Sequence, residues 1–144
     1  MKIPAATAEM VFRYFGVGSS PDYSATLGII SRRPYENVEE ILAARWALTD
    51  LTDYNYDLGF VYALTDHQDL PTVRLSVVGP YAVIIDPQGR VVDTVDVAAI
   101  LNSEGFEVMN KEVLELPVDI WKPEVGGCLY EFLFEFDQGL PWDR

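Results

Sequence analysis

An α+β fold, with an antiparallel β-sheet of about five or six strands and two or three helices packed on one face, is predicted by three features of this sequence. Helical and β-prone segments occur in the order helix, strand, helix, four short strands, helix, strand, strand, which is not the regular alternation of a doubly wound sheet. Turn residues separate the four short runs as they would in a meander. A hydrophobic content of 49% over 144 residues suffices for one core, so residues 1–144 read as a single globular domain, and no repeat or linker divides them.

The elements follow in order. Thr7 to Phe15 sets Met10, Val11, Tyr14 and Phe15 at helical spacing and stops at Gly16. Gly18 to Asp22 is a loop, and Leu27 to Ile30 has strand character ended by Pro34. Asn37 and Glu40 have the spacing of a capping box and open a helix over Asn37 to Leu51, with Val38, Ile41, Leu42, Ala44 and Leu48 on one broad face. Arg45 falls inside that apolar arc, and a stem over the core with the guanidinium reaching water is favoured over a buried ion pair. Leu58 to Leu64, Thr72 to Val78, Tyr81 to Asp86 and Arg90 to Val92 are the short strands.

Asp86-Pro87-Gln88-Gly89 is a strong turn, because proline presets φ and glycine accepts φ > 0. Asp96 is expected to cap a helix through Leu101 that Gly105 closes. Phe106 to Leu116 suits two readings, since Phe106, Met109, Val113 and Leu116 fit a helical period. The favoured one is a strand that starts at Phe106 and ends near Met109, followed by one helical or irregular turn up to Pro117. From Cys128 to Asp137 tyrosine and phenylalanine alternate with Leu129, Glu131, Leu133 and Glu135, which predicts a half-buried strand.

Charge is distributed unevenly. Residues 1–45 carry five basic and five acidic side chains, whereas residues 46–144 carry five basic and eighteen acidic, so the net charge of -13 belongs to the later part. Such a field disfavours nucleic acid and anionic membrane and speeds encounter with a basic partner. Met1 to Phe15 lacks the uninterrupted apolar run of a secretory signal and no stretch approaches a bilayer span, so the expected location is the cytoplasm. A single cysteine, Cys128, is consistent with a reducing compartment.

The inventory excludes several chemistries. One histidine and one cysteine cannot make a zinc site of the Cys/His type, and no phosphate-cradling glycine motif is present, so neither metal nor cofactor is expected. Asp50, Asp53 and Asp57 lack the remaining ligands of an EF-hand. Asp66-His67-Gln68-Asp69 is the best enzymatic candidate, since flanking carboxylates favour the imidazolium needed in acid–base work. Four polar residues between two strand-like runs and just before Pro71 are what a hairpin loop contains, and that is the stronger reading.

Two acidic stretches with aromatics are the candidate partner-binding residues: Asp50, Asp53, Tyr54, Tyr56 and Asp57 in the first, Glu131, Glu135, Asp137 and Trp142 in the second. In composition and size alone the chain resembles small inhibitors of the immunity type, which mask a basic protein. The sequence therefore predicts an acidic protein-binding module with a basic protein as partner. The alternatives are a small carboxylate enzyme centred on Asp66, His67 and Asp69, and a structural or homo-oligomeric subunit pairing through the Glu131 and Leu133 face.

Overall fold

The computed structural model describes residues 2–16, 34–53, 56–64, 70–118, 127–135 and 139–144. Five α-helices occur among them, α1 (Ala5–Phe15), α2 (Glu36–Arg45), α3 (Val95–Ser103), α4 (Lys111–Leu114) and α5 (Leu129–Leu133), with a closing 3₁₀ turn at Pro141–Asp143. The strands β1 (Leu48–Asp50), β2 (Gly59–Leu64), β3 (Thr72–Ser76), β4 (Tyr81–Ile85) and β5 (Glu107–Val108) form one mixed sheet in the order β1-β2-β3-β4-β5. The fold is α+β. The first three pairings are antiparallel, and β5 joins β4 in parallel because α3 carries the chain back to start β5 alongside it.

All five residues of β4 are buried, and they alternate between two apolar clusters. Tyr81, Val83 and Ile85 pack with Val11 and Phe15 of α1, Leu114 of α4 and Leu129, Tyr130, Phe132 and Leu133 of α5. Ala82 and Ile84 pack with Val38 and Leu42 of α2, Val97, Ala98 and Leu101 of α3, and Phe60, Tyr62, Leu64, Val73 and Leu75 of the sheet. Helices thus line both faces, where the sequence predicted one. The continuous apolar runs of β2 and β4 are the corresponding signal, since a strand covered on both sides loses its polar alternation.

Several predicted elements are found as expected. Asp86-Pro87-Gln88-Gly89 is a tight turn in which Gly89 N–H donates to Asp86 O at 2.9 Å and Gly89 has φ +86°. The Asp86 carboxylate accepts from the amides of Gln88 and Arg90, both at 2.9 Å, and from Arg90 Nε. The Arg90 amide chiefly holds that carboxyl below its usual range. Beyond the turn the return arm makes only an isolated bridge, Val91 with Ile85, rather than a full strand. The Phe106–Pro117 segment is the expected short strand followed by one helical turn, with Asn110 Oδ1 capping the Val113 amide at 3.0 Å.

Other expectations need correction. α2 starts at Glu36, so Asn37 lies inside its first turn and Nδ2 donates to Glu104 across 3.4 Å rather than capping. It also ends at Arg45. Trp46 turns extended, with φ −132° and ψ 152°, and Leu48, Thr49 and Asp50 pair with Leu64, Ala63 and Tyr62 as an edge strand. Leu48 had the spacing of a helical face, but ladder hydrogen bonds to β2 decide its state. α3 has Thr94 before it, and Asp96 sits in its first turn paired with Arg45 Nη2 at 3.0 Å. That pair is exposed, and the Arg45 guanidinium also lies 4.9 Å from the Trp46 ring, in agreement with a stem over the core and a solvated head.

The largest correction is at Leu129–Leu133, an α-helix where a strand was expected. Leu129, Tyr130, Phe132, Leu133 and Phe134 are all buried, so the apolar surface runs at helical spacing and both sides of the supposed alternation were apolar. Cys128 and Glu131 form a capping box at its start. Leu27 to Ile30 lies outside the described residues. Among the described residues no helix is long and apolar enough to cross a membrane.

Candidate functional site

Strand β3 carries Arg74 between Val73 and Leu75, and the period of two places its side chain on the α5 face, with Val61 and Val83 as cross-strand neighbours. Here an isolated antiparallel bridge joins Asp57 to Glu135, and Leu58 N–H donates to Phe134 O at 2.9 Å. Two carboxylates from distant parts of the chain thereby converge on one guanidinium. Arg74 Nη1 lies 3.0 Å from Asp57 Oδ1 and 3.8 Å from Glu135 Oε1. Glu135 Oε1 also accepts from Arg144 Nη2 at 2.6 Å and from the Tyr130 hydroxyl at 3.0 Å.

Asp57 and Glu135 are only 5% and 8% exposed and Arg74 is largely covered, so three buried charges, joined by Arg144 from the exposed rim, replace a solvated acidic face. Burial pushes the Asp57 carboxyl above its ordinary range, opposed by the Asp53 amide, which donates to Oδ2 at 2.7 Å, and by Arg74. Burial likewise raises the Tyr130 hydroxyl, keeping it a neutral donor to Glu135. Arg74 Nε is buried with no hydrogen-bond partner among the described residues. The network is structurally committed: it ties Asp53 and Asp57, β3, the end of α5 and Arg144 together.

The other candidate residues separate into displayed and anchored groups. Asp50, Asp53 and Tyr56 are exposed along the turn that follows β1, next to Leu51 at 53% exposure. Asp50 Oδ1 accepts from Thr52 N–H at 3.0 Å, and Asp53 O accepts from the amides of Tyr56 and Asp57. Trp142 is half-buried: its ring meets Tyr130 edge-on with centroids 5.4 Å apart, and Nε1 donates to Glu115 at 2.8 Å. Glu131 accepts from the Cys128 amide at 3.3 Å and is within 3.6 Å of its sulfur.

Burial pushes the Cys128 thiol up to about 11, the environment of an unreactive packing cysteine. Leu133 is fully buried and Glu131 half-buried, and in a helix these two residues do not share the single face that a strand would give them. Tyr54, Asp137, Asp66, His67 and Asp69 lie outside the described residues. No group of three or more metal-ligating side chains converges among the described ones.

Arg74, Tyr130 and Arg144 were not singled out by the sequence. The available signal was a lone arginine in the middle of an apolar strand, which on a sheet covered on both faces has to find a buried carboxylate. A further groove of about 500 Å³ opens beside β5, lined by residues that include Val91, Asp93, Asn102, Val108 and Glu112. Compared with protein-family models, with characterised proteins and with solved structures, the chain finds no match in any of the three.

Proposed function

We propose that this protein is an acidic binding module of the inhibitor or immunity type that engages a basic protein, with the exposed turn Asp50, Leu51, Asp53 and Tyr56 as part of its contact surface. The observation that carries this reading is where the cations go. Every described arginine is spent on a carboxylate of its own chain: Arg13 on Glu9, Arg45 on Asp96, Arg74 on Asp57, Arg90 on Asp86 and Arg144 on Glu135. The excess acids, among them Glu36, Glu40, Asp93, Glu107 and Glu112, are left exposed with no ion pair among the described residues. An unneutralised surface of one sign steers a partner of the opposite sign.

Leu51 and Tyr56, at 53% and 41% exposure, supply the apolar and aromatic contact area that carries binding energy beyond steering. Asp57, buried directly after Tyr56, accepts from the Asp53 amide and pairs with Arg74, which fixes Asp53 and Tyr56 beside the sheet.

The test is a panel of immobilised basic proteins, including ribonucleases and other nucleases, titrated at salt from about 0.05 to 0.5 M, where screening shortens from well beyond 10 Å to a few ångströms. The expected result is tight capture of selected members that weakens steeply with salt, and that falls at least tenfold in Asp50→Lys/Asp53→Lys. Equal, weak capture of every basic protein, lost by about 0.15 M salt, would reduce the charge to generic ion exchange and overturn the reading.

A further inference from the structure

The groove beside β5 holds an open sheet edge. Glu107 N–H donates to Pro80 O and Met109 N–H to Ala82 O, both at 2.8 Å, so residues 107 and 109 turn their backbone groups toward β4. In a parallel ladder the intervening residue turns the other way. The Val108 amide and carbonyl therefore face away from β4, on a residue that lines the groove, and no hydrogen bond among the described residues uses them. Val91, Val92, Val108 and Met109 give the groove an apolar lining.

Its charged lining is one-sided. Asp93, Glu107 and Glu112 are exposed and carry no ion pair among the described residues, while the single cation, Lys111, is 3.6 Å from Glu115 and half-exposed. At about 500 Å³ the groove has the size of a site for a few residues of an extended chain, and it is concave where an edge strand would otherwise be covered.

We propose that this groove is a second contact for the basic partner, taking an extended segment that pairs with Val108 through its main chain and directs Lys or Arg side chains to Asp93, Glu107 and Glu112. It rests on the reading of the protein as a binder of basic proteins, and adds to it a backbone-mediated mode in which ladder hydrogen bonds give affinity and alternate side chains give selectivity. Alternation suits the site, since an extended segment sends every second side chain to one side, toward the acids, and the others toward Val91 and Met109.

The probe is a short capped peptide of alternating valine and lysine, with the valine–glutamate peptide as control. On adding the lysine peptide to the full chain, the Val108 amide should gain protection from hydrogen exchange at least tenfold and the glutamate peptide should leave it unchanged. Val108→Pro removes the outward donor without removing a bond to β4, since proline is tolerated where the N–H faces away from the ladder. It should weaken peptide binding at least tenfold, and Asp93→Asn/Glu112→Gln should flatten its salt dependence. An unchanged Val108 exchange rate with peptide bound elsewhere overturns the proposal, as does full binding by a folded Val108→Pro protein. Capture of an intact basic protein that persists in Val108→Pro would overturn the groove alone and leave the Asp50–Tyr56 surface standing, whereas loss of all such capture from the unaltered chain would remove both.

Discussion

At Arg74 a guanidinium stands on a central strand between two fully buried neighbours, Val73 and Leu75, with its Nη1 shared by two carboxylates and its Nε without a partner among the described residues. Desolvating these groups costs several kcal/mol per ion, so the network adds little net stability, yet removing one member leaves a charge uncompensated. Arg74→Met is expected to lower unfolding free energy by roughly 3–5 kcal/mol at pH 7 in urea titrations. The pH dependence has a definite sign. Burial already raises the Asp57 carboxyl above its ordinary 3.8, and losing Arg74 raises it further. A carboxyl whose folded value is raised contributes stability that is fully present below the ordinary value and lost as pH rises through the folded one. The deficit of the variant should therefore be smaller at pH 4 than at pH 7. A deficit under 1 kcal/mol at both, on this order of magnitude, would show that the pair is not buried in solution.

β2 and β3 approach each other so closely at Gly59 that a Cβ there would lie 1.8 Å from Leu75 O, in the pairing of Gly59 with Ser76. Only a residue without a side chain admits that contact, and the backbone of a central strand has no room to yield. Gly59→Ala is expected to cost about 1–3 kcal/mol or more and to lower the thermal midpoint by several degrees in a circular dichroism melt. A midpoint within one degree of the parent, about the scatter of the measurement, would mean that the ladder opens there. Element by element, the sequence was most legible where the cause is local. The Asp86–Gly89 turn follows from proline, glycine and an acceptor in place, and the turn at Lys111–Leu114 from Asn110. It was least legible at Leu48–Asp50 and Leu129–Leu133, where the apolar residues suit both periods and the partner chosen by the backbone decides.

Across the whole molecule the charge of -13 falls on a surface whose described arginines are already paired, so the folded state carries a self-repulsion that the expanded chain relieves. Raising sodium chloride from about 0.02 to 0.5 M should therefore raise the thermal midpoint by several degrees at pH 7.5, because the Debye length shrinks from tens of ångströms to a few. A midpoint that falls with salt would show that the internal ion pairs outweigh the repulsion.

Composition and spacing determined that the chain has an α+β fold, several of its turns and short helices, and a large acidic excess, because each of these depends on residue counts or on neighbours within a few positions. Tertiary structure alone decided which acids belong to the surface. Asp57 and Glu135 share the composition of Asp50 and Asp53, yet they are buried on Arg74 while the latter two are displayed. The physical reason is the sheet covered on both faces: it brings residues 57, 74 and 135 together from far along the chain, and it abolishes the polar and apolar alternation by which a sequence marks its own outside.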